Sequence, residues 1–305
     1  MWTRQSQNLR VVTAGSAVSE NSERIKTMKT RIITALIALC LFLPFLYFSD
    51  TLAFLVLIQL LAFVSTYEIL RCIGLDKHKA LAIPCYIVSI LVPYFCRYSE
   101  KMYCGRMEII FLIFFVLAFY MLSAGVFYRG KVDLSSIGTL LTMEMYVVFA
   151  VSSILLLRDM RFGQYVYLLV FISAWVTDTG AYFVGKSLGR HKLIPEVSPK
   201  KTIEGAVGGF VVGVIGLVIY GAVIGSISYA TPQYLYLAIA GGVMSLVSML
   251  GDLIASLLKR HFGIKDFGWI LPGHGGVLDR FDSVFATAPF LFFLYYFIPD
   301  FALFI

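Results

Sequence analysis

Long apolar stretches constrain this chain more than any other feature of its sequence. A helix needs about 20 mostly apolar residues to cross the hydrocarbon core of a bilayer. Hydrophobic residues make up 59% of the 305 residues and charged residues only 14%, against roughly 25% charged in a soluble protein. The sequence therefore predicts an all-α, polytopic integral membrane protein with about nine transmembrane helices. The candidate stretches are 31–49, 51–70, 80–96, 107–127, 135–157, 164–184, 204–226, 233–257 and 283–303.

The distribution of lysine and arginine predicts the orientation of these helices, because basic residues collect in cytoplasmic loops. With nine crossings and a cytoplasmic N-terminus, 20 of the 25 basic residues lie on the cytoplasmic side. The exception is the 97–106 loop, with three basic residues on the outer side. Loops 186–201 and 259–280 are two crossings apart and so share a face. We expect a multi-pass protein of a bacterial-type inner membrane, with its active site facing the cytoplasm. The net charge of +7 is explained by these loops, so we expect no nucleic-acid partner.

Three parts of the chain are expected to differ in character. Residues 1–30 are polar and lack the apolar face of an amphipathic helix, so they form either a disordered tail or an extension ahead of a start at Met28. Residues 31–160 contain the N-terminal transmembrane helices. Residues 161–305 form a C-terminal transmembrane region with the polar loop 256–282. Because the charged residues concentrate in this third part, we expect the catalytic chemistry there.

The segment GAYFVGKS, residues 180–187, matches the pattern of a phosphate-binding loop. Such a loop turns its backbone N–H groups around the phosphates, which needs small residues between the two glycines. Here that interior is bulky, and the preceding apolar stretch is long enough for a membrane span rather than a strand. The pattern therefore does not indicate a P-loop NTPase. It predicts the cytoplasmic end of a helix, where Lys186 is a candidate phosphate ligand.

Charged residues within membrane spans are costly, so each is a candidate functional residue. Glu68 lies one turn from the end of a span, beside Arg71, and is predicted to form a structural pair at the interface. Glu144 lies near the middle of a span and is either a buried hydrogen-bonding group or a site residue. Asp178 and Asp252 lead directly into the polar loops, so they are the stronger candidates for a site.

The stretch 233–257 and the residues after it carry a stripe of polar side chains. At about 100° per residue, the members of this stripe fall within an arc of roughly 80° on one helix face. A stripe that ends in a carboxylate and an ammonium group does not face lipid, and the charge density beyond it favours a hydrated pocket over a partner helix. The members are Ser245, Ser248, Asp252, Ser256 and Lys259.

The loop after this stripe is rich in glycine and contains Pro272, so its backbone must leave the helix and turn. Asp279 and Asp282 are three residues apart and share one face of the helix that begins there. With Asp252 and Asp266 they form an oxygen-only ligand set that suits Mg²⁺, which is usually held by one or two carboxylates plus substrate phosphates. Basic residues alternate with them, which is typical of a phosphoryl-type site, although a solvated, salt-bridged loop is the alternative. The basic residues are Lys259, Arg260, Lys265 and Arg280.

A second polar segment, SPKKTIEG, immediately precedes the stretch 204–226. The N-terminus of a helix already favours anions, and lysines beside it strengthen phosphate binding. The candidates here are Lys200, Lys201, Thr202 and Glu204. Within the same stretch, glycines recur at four-residue spacing from Gly205 to Gly213, which predicts close packing against another helix.

The residues from Ser256 to Asp282, including Lys259-Arg260, Lys265-Asp266, Pro272, His274-Gly275-Gly276 and Asp279-Arg280-Phe281-Asp282, resemble the full signature of the phosphatidate cytidylyltransferase family, also called CDP-diacylglycerol synthases. The earlier DTGAYFVGKSLGRHKL and SPKKTIEG segments resemble the second polar region of that family. The resemblance covers roughly residues 164–283 closely. Upstream of that range it is only a general pattern of apolar helices.

This resemblance implies a reaction in which CTP and phosphatidate give CDP-diacylglycerol and pyrophosphate. It also implies a requirement for Mg²⁺, with a monovalent cation such as K⁺ as a second ion. We further expect the bilayer and a homodimer as partners. The expected metal ligands are Asp178, Asp252, Asp266, Asp279 and Asp282. The expected catalytic residues are Lys259, Arg260, Lys265, His274 and Arg280, with His274 binding or positioning phosphate. The expected substrate-binding residues are Lys186, Lys200, Lys201, Thr202, Glu204 and Ser256.

Two other functions are compatible with the same composition. A CTP-dependent lipid-alcohol kinase would share the nucleotide and a lipid substrate, but it would transfer the γ-phosphate and release CDP. A transporter of anionic metabolites would also have many spans and a basic vestibule. The polar residues, however, cluster on one face instead of lining the middle of the membrane, which argues against transport.

Overall fold

The structure is a computed structural model that describes residues 34, 37, 40–99, 105–128, 132–270, 275–298 and 301–305. Residues 40–47 are helical. The other helices are α1 (Leu52–Ile73), α2 (Lys79–Tyr98), α3 (Arg106–Phe127), α4 (Leu134–Arg158), α5 (Gly163–Val166), α6 (Leu168–Leu188), α7 (Ile203–Ile227), α8 (Tyr234–His261) and α9 (Leu278–Phe297). The prediction of a tail at residues 1–30 lies outside the described residues.

Seven helical segments within the described part of the chain are long and apolar enough to cross a membrane. They are α1, α2, α3, α4, α5 with α6, α7 and α8, and they coincide with the second to eighth predicted stretches. The stretch 31–49 lies largely outside the described residues. Helix α9 overlaps the ninth stretch but begins with Asp279, Arg280 and Asp282, which lower its mean hydropathy. The all-α membrane architecture is therefore confirmed, whereas the number of nine crossings stays a prediction.

One element was not predicted from the sequence. Strands β1 (Lys192–Ile194) and β2 (Ser198–Thr202) form an antiparallel hairpin within the basic loop, with Lys192 opposite Thr202 and Ile194 opposite Ser198. The Thr202 hydroxyl then accepts the backbone N–H of Gly205 at 3.1 Å, which caps the first turn of α7. The hairpin therefore carries Lys200 and Lys201 directly to the beginning of a helix.

Close packing joins α6, α7 and α8. A Cβ atom added at Gly209 would lie 2.9 Å from the backbone oxygen of Thr177, and one added at Gly213 would overlap Ser245. The Thr177 hydroxyl donates to Ser245 Oγ at 3.0 Å across the same seam. The glycine spacing thus allows the three helices to approach closely, as predicted from the sequence. Helix α9 packs against α8, α6 and α4, and α4 contacts α1, α2 and α3.

The two ends of the helix bundle differ in their contacts. At one end, Arg97 donates to the backbone oxygen of Asp50 at 2.7 Å, and Arg158 Nε donates to Ser49 Oγ at 2.6 Å. Thr231 and Ile305 exchange backbone hydrogen bonds at 2.8 and 2.9 Å at this end. The opposite end carries the hairpin and the loop between α8 and α9. Arg97, which the topology predicted from the sequence places outside, therefore donates to carbonyl oxygens of its own chain.

Candidate active site

A cleft of about 440 Å³ lies between the hairpin and the adjacent ends of α6, α7, α8 and α9. Small residues of α6 and α7, including Gly185, Gly205 and Ala206, form part of its wall. The cleft brings together side chains from five elements that are distant in sequence. The predicted site residues that line it are Asp178, Lys186, Lys200, Lys201, Thr202, Asp252, Asp279, Arg280 and Asp282.

Three carboxylates enter this cleft from three different helices. Asp178 comes from α6, Asp252 from α8 and Asp282 from α9, and all three line the cleft. Asp178 Oδ2 lies 3.3 Å from the Ser283 hydroxyl, and Asp282 Oδ1 accepts the backbone N–H of Ser283 at 2.7 Å. Like charges in one partly buried cleft repel each other, so this arrangement favours the binding of a cation.

Mg²⁺ fits this set of oxygen donors. Within the described residues, no three histidine, cysteine or acidic side chains are arranged to hold a metal ion by themselves. Mg²⁺ is usually bound by one or two carboxylates, with waters and substrate phosphates completing the octahedron. One or two of the three aspartates of the cleft could supply the carboxylates, and the volume of the cleft would leave room for the remaining ligands. The fit is therefore to a metal that is shared with a phosphorylated substrate.

Lys201 is the basic residue most closely tied to this acidic group. Its Nζ lies 2.7 Å from Asp252 Oδ2 and donates to the backbone oxygen of Met249 at 3.4 Å. Both side chains of the ion pair keep a quarter or more of their surface exposed, so an anion can reach the ammonium group. Lys186 lies farther along the cleft, with Nζ 5.8 Å from the centre of the Tyr182 ring. Lysines at two positions therefore line one cleft.

Asp279 lines the cleft, but its carboxylate is bound to Lys259, which does not line it. Asp279 Oδ1 lies 2.7 Å from Lys259 Nζ, and only 4% of the Asp279 side chain is exposed. Its Oδ2 accepts the backbone N–H groups of Phe267 at 2.8 Å and Gly276 at 3.0 Å. Because both oxygens have partners, this geometry favours a role for Asp279 in holding the loop rather than in binding a metal.

The other predicted residues lie at the edge of the site or away from it. Ser256 Oγ is 3.5 Å from Asp252 Oδ1, whereas Arg260 Nε reaches the backbone oxygen of Val197 at 3.5 Å. Lys265 and Asp266 are exposed on the loop after α8 and do not line the cleft. His274 lies outside the described residues.

Thr202 and Glu204 organise the hairpin rather than the cleft floor. Thr202 caps α7, as described above. Glu204 Oε1 lies 2.7 Å from His191 Nδ1, and its Oε2 accepts the backbone N–H of Arg190 at 3.1 Å. These contacts fix the turn that precedes β1. Both residues therefore have local partners that differ from the substrate contacts predicted for them.

Glu68 belongs to the surroundings of the site, which the sequence interpretation missed. This side chain is fully buried, and its oxygens accept the backbone N–H groups of Val277 at 2.9 Å and Leu278 at 2.8 Å. It therefore binds the beginning of α9 instead of forming the predicted interfacial pair with Arg71. Glu144 is also fully buried and accepts the Thr66 hydroxyl at 2.9 Å, away from the residues that line the cleft. Of its two open interpretations, the structure favours the buried hydrogen-bonding group.

Comparison with known proteins identifies the family. The model of the cytidylyltransferase family matches residues 29–298. A phosphatidate cytidylyltransferase of Bacillus subtilis (strain 168) is 36% identical over 273 residues, which cover 88% of this chain and 97% of that protein. One of Staphylococcus saprophyticus is 35% identical over 265 residues, covering 87% of this chain and 97% of the relative. The chain therefore belongs to the cytidylyltransferase family and is a nucleotidyltransferase of the membrane.

Proposed function

We propose that this protein transfers the cytidylyl group of CTP to phosphatidate, giving CDP-diacylglycerol and pyrophosphate for phospholipid biosynthesis. Relatives with the name phosphatidate cytidylyltransferase align with it over 97% of their own length, so the whole catalytic unit is shared. The observation that carries the proposal is the convergence of Asp178, Asp252 and Asp282 with Lys201 in one cleft. Such a cleft suits two substrates that are both polyanions.

The reaction requires positioning and charge neutralisation more than a protein nucleophile. A phosphate oxygen of phosphatidate forms a bond to the α-phosphorus of CTP, while the bond from that phosphorus to the oxygen bridging the α- and β-phosphates breaks. The leaving group is pyrophosphate, and the attacking phosphomonoester already carries a charge of about −1.5 to −2 at neutral pH. The protein must hold the two anions in line and stabilise the charge that develops.

In this proposal one or two of Asp178, Asp252 and Asp282 would hold Mg²⁺, which would supply charge neutralisation at the phosphate oxygens. Lys201 and Lys200 bind phosphate at the beginning of α7, where the helix dipole adds to their charge. Lys186 and Arg280 line the same cleft and bind the outer phosphates. No residue is assigned to K⁺, whose involvement stays a proposal.

The cleft is proposed to face the cytoplasm, because the basic hairpin and the described part of the loop between α8 and α9 lie at its end of the bundle and CTP is a cytoplasmic metabolite. Labelling by an impermeant maleimide tests this orientation, with a cysteine introduced at exposed Lys192 in a variant whose five native cysteines are replaced. Labelling only after the membrane is opened supports it, and labelling of intact cells contradicts it. A homodimer is also proposed, and light scattering of the purified protein checks it.

One assay distinguishes the proposed reaction from its closest alternative. Purified protein in detergent is given phosphatidate or diacylglycerol, Mg²⁺, and CTP labelled at either the α- or the γ-phosphorus. We expect the α-label in the lipid product and the γ-label in pyrophosphate, with phosphatidate as the acceptor. Transfer of the γ-label to a lipid alcohol would instead establish a kinase. EDTA is expected to stop the reaction and added Mg²⁺ to restore it; persistence in EDTA would contradict the metal assignment.

A further inference from the structure

We propose that Glu68 is a positioning residue that sets the place of the first turn of α9, and with it the place of Asp282 in the cleft. Glu68 belongs to α1, in the N-terminal half of the chain, and its partners Val277 and Leu278 follow more than 200 residues later. The inference rests on the proposed function, because it assigns to Glu68 a part in the same reaction.

Glu68 is a buried residue that binds backbone groups of α9, unlike a charge at the surface, and we call these contacts the clamp. Its two oxygens bind two consecutive N–H groups, at 2.9 and 2.8 Å, and no part of the residue is exposed. The first N–H groups of a helix have no partner within the helix and carry partial positive charge. A buried carboxylate at this point therefore satisfies two donors and gains from the dipole of α9.

Glycines surround this carboxylate closely. A Cβ atom added at Gly268 would lie 2.9 Å from Glu68 Cδ, and one added at Gly276 would lie 2.6 Å from it. Both distances are too short for a real side chain, so backbone from two sides of the loop approaches Glu68 directly. The position of the loop is thus defined by the carboxylate, with no flexible side chain in between.

Asp279 completes the clamp from the other side of the loop. Its Oδ2 accepts the N–H groups of Phe267 and Gly276, and its Oδ1 pairs with Lys259 of α8. Glu68 therefore ties α9 to α1, while Asp279 ties it to α8. Asp282 lies one turn beyond Leu278 on the same helix, so a shift of this turn moves Asp282 relative to Asp178 and Asp252.

Glu68 does not itself line the cleft. Its effect must pass through the position of α9, and this distinguishes it from a residue that touches substrate. The variant Glu68→Gln keeps the size of the side chain, but its NH₂ group faces a backbone N–H, so one of the two hydrogen bonds is lost. We expect kcat to fall by up to about 100-fold, the scale of a misplacement of ~1 Å remote from the chemistry, with KM for CTP within about twofold of the wild-type value.

A measurement of hydrogen exchange tests the clamp without depending on the reaction. In Glu68→Gln the amides of residues 276–282 are expected to exchange faster, while those of α6 and α8 keep their wild-type rates. Glu144→Gln is the matched control, because it makes the same substitution at another fully buried glutamate. We expect Glu144→Gln to leave kcat and the exchange of residues 276–282 unchanged.

A second variant covers the case in which Glu68→Gln does not fold. Gly276→Ala inserts a methyl group against the Glu68 carboxylate and should displace the same turn, with the same loss of kcat and the same faster exchange. The proposal is overturned if a folded variant keeps the wild-type kcat, if residues 276–282 exchange as in the wild type, or if Glu144→Gln has an equal effect on both. Failure of the wild-type protein to form CDP-diacylglycerol would refute the proposed function instead, while the exchange measurement would still test the clamp.

Discussion

The two ends of the helix bundle both carry charged side chains, but they use them differently. At the end near residue 50, Arg97 and Arg158 donate to Ser49 and to the backbone oxygen of Asp50, so both charges have hydrogen-bond partners within the chain itself. At the cleft end, Asp178, Asp252 and Asp282 line one cleft, where like charges repel each other, and Lys201 pairs with Asp252. Charged side chains with partners in the protein stabilise the fold, whereas a group of like charges that repel each other favours the binding of a ligand of opposite charge.

The same contrast recurs within one turn of α9. Asp279 is almost fully buried, with partners for both oxygens. Asp282, three residues later, lines the cleft with Asp178 and Asp252, and its Oδ1 accepts the backbone N–H of the neighbouring Ser283. Two aspartates that appear equivalent in a sequence motif therefore have different physical surroundings. Substitution of Asp282 should mainly lower activity, whereas substitution of Asp279 should also lower stability.

The largest effect is expected from Asp282→Asn. Loss of one charge from the acidic group should lower kcat by about 10²–10³-fold, the scale for removal of a group that stabilises charge in the transition state. The melting temperature in detergent should stay the same or rise, because repulsion among the carboxylates is relieved. The rate of CDP-diacylglycerol formation and a thermal unfolding curve check both parts. Asp50→Asn, at the other end, is the control, and equal losses in the two variants would refute the distinction between the ends.

Asp279→Asn should instead destabilise the protein. It leaves Lys259, whose side chain is only 14% exposed, without its carboxylate, and breaking a buried ion pair from one side costs on the order of 3 kcal/mol. We expect a lower melting temperature than for Asp282→Asn, together with lost activity. If Asp279→Asn melts like the wild type, then Asp279 does not hold the loop, and its predicted role as a metal ligand regains support.

The contrast also shows what sequence reasoning can reach. Charges inside apolar stretches and a polar stripe on one helix face identified Asp178 and Asp252, and both lie in the cleft. The sequence gives no indication of the partners of Glu68. They are backbone N–H groups more than 200 residues away, and backbone groups do not reveal themselves through a particular residue type. The hairpin was not predicted either, because Ser198–Thr202 contains a proline and two lysines, which do not indicate a strand. This strand is held in place by the capped first turn of α7, a contact that the sequence pattern does not show.

A smaller difference is expected between two lysines of the cleft. Lys201→Ala removes the ammonium group beside Asp252 and should lower kcat/KM by about 100-fold. Lys186→Ala should cost about tenfold or less, because this residue is exposed and lies over the Tyr182 ring at some distance from the acidic group, where solvent weakens its field. Steady-state kinetics with CTP as the varied substrate measure both. An equal or greater loss in Lys186→Ala would mean that the GAYFVGKS segment binds the reacting phosphate after all.

The smallest effect on stability, with no effect on the reaction rate, is expected for a substitution at the end near residue 50. Arg97→Gln shortens the side chain and removes the charge that binds the carbonyl oxygens of Ser49 and Asp50. A hydrogen bond of this kind contributes about 1–3 kcal/mol, and partial exposure places the expected loss at the lower limit. The melting temperature should therefore fall slightly while kcat and KM keep their wild-type values. A change in kcat would show that this end is coupled to the cleft through α4 and α9, in which case internally satisfied charges would affect catalysis as well as stability.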